Sequence, residues 1–331
     1  MNTFRSILYI GTPQTYKLYK EGKNPSHWLY GAVEMEKSGH VVYWEKEKQA
    51  LLNDVKLYFK YRPDIIFIPN LNLRAHLLLL LVSSVKLVRK PIFAYLHHSP
   101  VHFKGIWKRI FKFAFRGINH LFFLSELTMK ETINAGFVHP LKATYIRWGA
   151  DIDFYKQFDN VKEDDVFVST GKENRDYNML IDVFKKTNKK LKIITCKKHA
   201  DREYTSLEER RGNAKNINVT LIENSGSAYP SLVREMKKSK FILCPIIPGA
   251  ITYCVGLSSI LDAEALGKRI IITSNPYHDD TRLKFSIVCK NQTDWERCIT
   301  SNNVALISPP TMEPVIDIWH TYNQMRTYMG L

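Results

Sequence analysis

Acidic residues are missing from one long stretch of this chain. Between Ile65 and Ser125 there is no Asp or Glu, although the 331 residues include 32 of them and 48 Lys and Arg, for a net charge of +16. The same stretch carries Arg74, Lys86, Arg89, Lys90, Lys104, Lys108, Arg109, Lys112 and Arg116. A stretch that carries only positive charges implies an anionic partner, which could be nucleic acid, an anionic membrane surface or a phosphorylated substrate.

Cysteine and long apolar runs are also scarce. The five cysteines form no CxxC pair and no His/Cys spacing suited to a metal, so we expect reduced core residues of a cytoplasmic protein and no metal site. The longest apolar run, Leu77 to Val82, is far shorter than the roughly 18 residues of a membrane-spanning helix. The first residues lack the apolar core of a signal peptide. No GxGxxG follows the first strand pattern, which argues against a dinucleotide-binding dehydrogenase.

Short continuous apolar runs alternate with helical patterns along the chain, as in "SILYIG", "DIIFIPN", "DVFVSTG" and "RIIITS". Such runs are typical of parallel strands covered by helices on both faces. A polar junction near residue 150 separates two such series. The sequence therefore predicts an α/β fold with two doubly wound, Rossmann-like domains, 1–150 and 151–313, facing a cleft, and a final helix 314–331 that packs back on the first domain.

The stretch "GLSSILDAEALGKRIIITSNP" predicts a helix from Leu257 that begins after Gly256. Free amides and a positive dipole at a helix N-terminus suit a phosphate, and Ser258 and Ser259 add hydroxyl donors. Asp262 lies about one turn further on, where a carboxylate could bind both hydroxyls of a ribose. The alternative is a helix with an ordinary Ser N-cap.

A second motif, "STGKENRDYNMLIDVF", places Gly171, Lys172 and Arg175 between a strand and a helix. Two cations at the carboxyl end of the second domain's first strand could bind a diphosphate and offset the charge that develops when it departs. The alternative is a solvated loop.

His97 and His98 end a strand pattern of the first domain in "YLHHSP". A neutral imidazole there could bind a sugar hydroxyl or a leaving phosphate. The alternative is a capping or core histidine, and His27 is a weaker candidate.

The segment "KGIWKRIFKFAFRG" predicts a basic amphipathic helix. Trp107 and Phe111 fall opposite a row of cations, and such a helix can lie in an anionic membrane interface. The alternative is a helix with a core-facing side and a solvated basic side. The cations are Lys104, Lys108, Arg109, Lys112 and Arg116.

Taken together, these motifs resemble family 4 of the GT-B glycosyltransferases. "GKENRDYNMLI" followed about 80 residues later by "GLSSILDAEALGKRIIITS" resembles that family's donor half, and "WGADIDFY" looks like its "GVDTDFF". "NPSHWLYGAVEMEKSGHVVYW" is similar to "PSHxLxGxxELExxGHEV" of bacterial members. The resemblance covers nearly the whole chain.

The resemblance implies roles for several residues. Lys172 and Arg175 hold the places of the family's diphosphate-binding pair, and Asp262 that of the last acid of EX7E, which contacts the ribose. Glu264 falls where Met or Leu is usual. Cys254 replaces the first acid of EX7E, which in many members touches the transferred sugar, so this departure leaves the donor sugar and the stereochemistry open.

The function implied is transfer of a sugar from a nucleotide-diphosphate sugar, bound by the second domain, to a glycan or lipid-linked acceptor on the first. The resemblance implies a retaining hexosyltransferase and, together with the basic surface, a role in bacterial surface polysaccharide synthesis. No metal is expected, because two cations and a helix dipole already offset the charge on the diphosphate. We expect a cytoplasmic protein that is peripheral on the inner face of the membrane. The alternatives are a nucleotide-sugar 2-epimerase on the same fold, an inactive relative suggested by Cys254, and a basic nucleic-acid-binding protein. The last would bind with a steep salt dependence, but no nucleic-acid-reading motif is present.

Overall fold

The computed structural model describes residues 4–44, 52–223, 226–278, 283, 286–301 and 315–331. By contacts the chain divides into two compact units. Unit 1 is made of Met1–Gly149 and Ile316–Leu331, and unit 2 of Ala150–Val315. Among the described residues, no helix has the length and apolar character needed to cross a membrane.

Unit 1 is built on one parallel sheet with helices on its connections. Its strands are β1 (Ser6–Tyr9), β2 (Val41–Trp44), β3 (Ile65–Ile68), β4 (Ile92–Tyr95), β5 (His120–Phe123) and β6 (Ala143–Tyr145). Its helices are α1 (Pro13–Lys20), α2 (Ala32–Lys37), α3 (Asn53–Tyr61), α4 (Leu77–Ser84), α5 (Gly105–Phe115), α6 (Glu126–Asn134) and, at the end of the chain, α13 (Ile318–Met329).

Unit 2 repeats this plan. Its strands are β7 (Val166–Thr170), β8 (Lys190–Cys196), the small hairpin β9 (Lys198–His199) and β10 (Arg202–Glu203), β11 (Ile217–Ile222), β12 (Phe241–Cys244), β13 (Arg269–Thr273) and β14 (Ser286–Cys289). Its helices are α7 (Ile152–Lys156), α8 (Tyr177–Lys185), α9 (Leu207–Arg211), α10 (Tyr229–Lys238), α11 (Leu257–Leu266) and α12 (Gln292–Thr300).

Both sheets are doubly wound. Their strand orders are β2-β1-β3-β4-β5-β6 and β11-β8-β7-β12-β13-β14, and neighbouring strands in each are parallel. In unit 2 the winding reverses between β7 and β12, which are hydrogen-bonded neighbours. At such a switch point the two following loops part and leave a crevice for a ligand. The fold class predicted from the continuous apolar runs is confirmed.

The stretch "SHWLYGAVEMEKSGH" has a helical pattern that predicts one helix capped by Ser26 and ended by Gly39, and this prediction is wrong at the start of the helix. A 3-10 turn spans Ser26–Leu29 and α2 starts only at Ala32. Tyr30 (φ 52°) and Gly31 (φ 86°) adopt left-handed backbone conformations between them, which an α-helix cannot contain. The predicted helix 314–331 is α13, Ile318–Met329, with residue 314 outside the described part.

Candidate active site

The loops that follow β7 and β12 are tied together by backbone hydrogen bonds. Arg175 forms an isolated antiparallel bridge with Ile246, the Asp176 amide donates to the Pro245 carbonyl over 2.9 Å, and the Ile247 amide donates to the Asn174 carbonyl over 3.0 Å. These bonds hold the loop with the predicted diphosphate cations beside the segment that leads to α11. The two motifs identified in the sequence therefore meet at the switch point of unit 2.

The guanidinium of Arg175 is buried at this point, with only 4% of the residue exposed. Nη1 donates to the Glu173 carbonyl over 2.7 Å and Nη2 to Ser259 Oγ over 3.1 Å. In the part of the chain that the structure describes, Nε has no hydrogen-bond partner and no carboxylate forms an ion pair with Arg175. Buried cations are normally paired, so this geometry suits an anionic ligand.

Gly171 makes room for that guanidinium. Its φ is +109°, and a Cβ there would lie 2.9 Å from Arg175 Nη2. Its carbonyl is held by the hydroxyls of Tyr177 and Thr195 at 2.7 and 2.8 Å. Lys172 lies half-buried in the same loop, and its carbonyl accepts a hydrogen bond from Tyr204 Oη over 2.8 Å. The loop is thus fixed by side chains from neighbouring strands and helices.

The N-terminus of α11 lies beside Arg175. Gly256 caps it with φ 91°, and a Cβ at Gly256 would come within 3.0 Å of Cys244 Sγ. The sequence predicts that a glycine here lets the backbone approach a ligand closely, and the structure shows that the turn and its packing require a glycine as well. The amides of Leu257 and Ser259 donate to Cys254 and Gly256 carbonyls, so they serve the first turn itself. Ser258 is exposed and Ser259 is buried against Arg175.

Asp262 is buried in α11 and belongs to a triad with two tyrosines. Tyr155 Oη and Tyr229 Oη each donate to its Oδ1 over 2.5 Å, and the two hydroxyls lie 2.8 Å apart. Burial raises the pKa of Asp262 to about 6, although the tyrosine hydrogen bonds and Arg175 oppose that shift. The sequence motifs point to neither tyrosine as a partner of Asp262, although Tyr155 ends the crossover motif "WGADIDFY".

This buried carboxyl gives stability a pH dependence. The folded-state pKa lies above the ordinary value of about 3.9, so the folded protein binds more protons than the unfolded one between about pH 4 and 6. Stability therefore falls as pH rises through that window, and the loss is complete above it. We expect Asp262→Asn, which keeps an acceptor for both hydroxyls, to raise the free energy of unfolding at pH 8 by roughly 2–3 kcal/mol and to have little effect at pH 4.

Urea denaturation of unit 2 at several pH values measures this difference. Asp201→Asn, at an exposed position of the same unit, is the matched control and should show no such trend. A stability difference for Asp262→Asn that is the same at pH 4 and pH 8 would contradict the burial argument.

Cys254, which stands in the place of the family's first acid, is buried with 5% exposure. All five cysteines are free thiols, and four of them are buried as core residues, whereas Cys298 is half-buried. Among the described residues, no group of three or more His, Cys, Asp or Glu side chains could hold a metal ion.

In unit 1, the two candidate histidines follow β4. His97 is half-buried, and because a carbonyl can only accept, its Nε2 donates to the Pro69 carbonyl over 3.1 Å. Burial lowers the pKa of His97 to about 4, so the ring is neutral at neutral pH with Nδ1 as an acceptor. His98 is exposed and lines a cavity of about 350 Å³. His27 is fully buried, its ring 5.3 Å from that of Trp148, which makes it a core residue.

The basic helix exists as α5, but its apolar residues divide into two groups. Phe111, Ala114 and Phe115 are buried in the core of unit 1, so the expectation that Phe111 contacts a membrane is wrong. Ile106 and Trp107 are 63% and 53% exposed. Lys104, Arg109 and Arg116 are exposed, whereas Lys108 and Lys112 are half-buried, with Lys112 Nζ 5.6 Å from the centre of the Phe137 ring.

No protein-family model matches the chain, and no curated protein matches it by sequence.

Solved structures match it over nearly its full length. HepE from Anabaena, in complex with UDP, gives a TM-score of 0.64 at 13% identity over 98% of this chain and 99% of that one. Trehalose 6-phosphate synthase from Burkholderia multivorans gives a TM-score of 0.64 at 9% identity over 99% of this chain and 98% of that one. UDP-GlcNAc 2-epimerase from Neisseria meningitidis, bound to UDP-GlcNAc, gives a TM-score of 0.52 at 12% identity over 98% of this chain and 100% of that one.

These likenesses show the fold: the chain has the GT-B fold of two doubly wound units. Membership of family 4 stays a prediction.

Proposed function

We propose that the protein is a glycosyltransferase that takes a sugar from a nucleotide-diphosphate sugar and passes it to a glycan or lipid-linked acceptor. The observation that carries the proposal is Arg175, a buried cation with an unsatisfied Nε and no ion-pair partner among the described residues, placed at the switch point of unit 2. Solved structures of the same fold hold UDP or UDP-GlcNAc, which makes UDP the first ligand and a UDP-sugar the first donor to test.

The donor's diphosphate would lie against Arg175, Lys172 and the Gly171 loop on one side and the first turn of α11, Gly256 to Ser259, on the other. As the glycosidic bond breaks, negative charge develops on the departing diphosphate. Two cations and the positive end of a helix dipole stabilise that charge without a metal ion. Leaving-group stabilisation by these groups is the chemistry we assign to unit 2.

Asp262 would bind the ribose in this arrangement. Because Tyr155 and Tyr229 both donate to Oδ1, they fix the orientation of the carboxyl, and the ribose hydroxyls would bind the other oxygen. The two tyrosines therefore act as positioning residues for donor binding.

Unit 1 would hold the acceptor, with His97 and His98 next to the sugar being transferred. The neutral His97 ring can accept a hydrogen bond from a sugar hydroxyl through Nδ1, because Nε2 is used by Pro69. We assign retention of configuration, a hexose donor and a role in bacterial surface polysaccharide synthesis on the family resemblance alone.

A cytoplasmic position at the inner face of the membrane completes the proposal. The acid-free stretch lies in unit 1, and α5 exposes Ile106 and Trp107 beside the cations Lys104, Lys108, Arg109, Lys112 and Arg116. Cations bind anionic headgroups while a tryptophan and an isoleucine enter the interface. Nucleic acid is not a partner in this proposal.

One experiment tests the enzymatic proposal. Thermal-shift screening of nucleoside diphosphates and nucleotide sugars should find a stabilising diphosphate, and the sugar nucleotide so identified should be consumed only when an acceptor-containing lipid or glycan extract is added. Turnover should survive EDTA. Loss of donor without an acceptor, with appearance of its C2 epimer, would instead show the epimerase that shares this fold. Nucleotide binding without any turnover would show an inactive relative.

A further inference from the structure

Two cavities in unit 1 share a wall formed by Arg74 and Phe103. The first, about 350 Å³, is lined by Asn70, Leu71, Asn72, Leu73, Arg74, Leu96, His98, Pro100, His102 and Phe103. The second, about 360 Å³, is lined by Arg74, Leu77, Phe103, Trp107 and Phe111. Each lies within the size range of small-ligand sites. The first is rich in polar side chains, and the second is apolar except for Arg74.

An aromatic row joins the two cavities. The ring of His102 lies 4.1 Å from that of Phe103, which lies 4.3 Å from Phe111, which in turn lies 5.9 Å from Trp107. Phe111 is buried and forms the inner wall of the apolar cavity, whereas Trp107, at the other end of the aromatic row, is 53% exposed. A continuous surface thus leads from a polar end to an apolar end.

The polar cavity lies at the carboxyl ends of β3 and β4, where ligands bind in sheets of this type. Asn72 Oδ1 accepts hydrogen bonds from the amides of Arg74 and Ala75 at 3.1 and 3.2 Å, which fixes the loop that carries the cation. His102 donates through Nδ1 to the Ser99 carbonyl over 3.2 Å, which leaves its Nε2 for another partner. Arg74 is exposed.

The charge of this region favours an anion. No Asp or Glu occurs between Ile65 and Ser125, the stretch that supplies every residue of both cavities. Within the described residues, Arg74 has no ion-pair partner. A guanidinium with free donors is well matched to a phosphate.

We propose that the two cavities bind one amphiphile, a phosphorylated lipid, with its phosphate at Arg74 and its hydrocarbon chain along Phe103, Leu77 and Trp107. An apolar cavity alone would accept many ligands, but the guanidinium of Arg74 at its edge favours a ligand whose hydrocarbon chain ends in an anion. The inference rests on the proposed function, because it names the acceptor as lipid-linked and places its phosphate in the cavity that His98 lines.

Isothermal titration with farnesyl phosphate, a single prenyl chain on a phosphate, tests the proposal below the concentration at which the lipid forms micelles. Farnesol and inorganic phosphate are the comparison ligands, and no vesicles are present. We expect farnesyl phosphate to bind at least about tenfold more tightly than either, since charge-assisted and apolar contacts both contribute. Arg74→Ala and Trp107→Ala should each weaken it by about tenfold or more.

Arg89→Ala is the matched control, because Arg89 is an exposed cation of the same unit that lines neither cavity. Wild-type affinity in Arg74→Ala, or equal affinities for farnesyl phosphate and inorganic phosphate, would overturn the proposal. So would an absence of farnesyl phosphate binding in this vesicle-free titration, because any lipid binding would then belong to the membrane-facing surface of α5. UDP titration of the same preparations keeps the two proposals apart, because the nucleotide site lies in unit 2.

Discussion

Replacing Arg175 by Glu is expected to abolish binding of nucleoside diphosphates. The guanidinium supplies the only buried cation that we place on the diphosphate, and a charge-assisted hydrogen bond contributes about 1.5–3 kcal/mol. Reversing the charge removes that contribution and adds repulsion in a buried site, where charges are weakly screened. We expect the dissociation constant for the stabilising diphosphate to rise at least about a hundredfold, measured by titration calorimetry.

Because Arg175 is buried, the charge reversal could also destabilise unit 2, so a second variant is needed. Arg175→Gln removes the charge but keeps donors for Ser259 Oγ and the Glu173 carbonyl, and it should still bind at least about tenfold more weakly than the wild type. Arg297→Glu, at an exposed position of α12, controls for net charge. Wild-type affinity in a folded Arg175→Gln protein would show that the diphosphate lies elsewhere.

Membrane binding should be lost when Lys108, Arg109 and Lys112 are all changed to Glu. Each cation near an anionic leaflet contributes about 1 kcal/mol, so losing three corresponds to roughly a hundredfold or more in partitioning. Co-sedimentation with anionic liposomes measures this, and neutral liposomes should retain little protein. Salt at 1 M, where the Debye length is about 3 Å, should release part of the wild-type protein.

The same number of charges can be reversed elsewhere as a control. Lys190, Lys198 and Lys215 are exposed cations of unit 2, and their change to Glu should leave liposome binding intact. Equal binding of the wild type and the α5 variant, or equal binding to anionic and neutral lipid, would remove the membrane role. Since Lys112 lies over the Phe137 ring, we expect Lys108 and Arg109 to account for most of the effect.

Much of the fold could be predicted because short stretches of sequence are enough to mark its central strands. Each central strand is a short apolar run, and burial of β3, β4 and β12 on both faces follows directly from those runs. Two of the four edge strands of the six-stranded sheets, β6 and β14, are not predicted, because they are short and only partly buried and no long apolar run marks them. The break at Tyr30 depends on a left-handed conformation of a residue other than glycine, which composition does not indicate.

The site was predicted unevenly. Arg175, Ser259 and Asp262 could be named as candidates because glycines and helix starts mark ligand loops in α/β sheets, and their ligand roles stay predictions. The tyrosine pair around Asp262 joins residues 107 and 33 positions away from it, and no local pattern specifies such a contact. The division of α5 into a buried and an exposed apolar group likewise depends on α4, whose Ser84 hydroxyl donates to the Phe113 carbonyl over 2.9 Å.

The return of α13 to unit 1 has a consequence for synthesis on the ribosome. The Gly149 amide donates to Thr321 Oγ1 over 2.7 Å, that hydroxyl donates to the Arg147 carbonyl over 3.0 Å, and Tyr95 Oη contacts Met325 Sδ at 3.1 Å. Unit 1 therefore cannot be completed until α13 has emerged, although its first 149 residues are made first. Unit 2 is one continuous segment and can fold while the sheet of unit 1 still lacks its final helix. Although unit 2 is translated after most of unit 1, the ribosome therefore finishes the chain of unit 2 first.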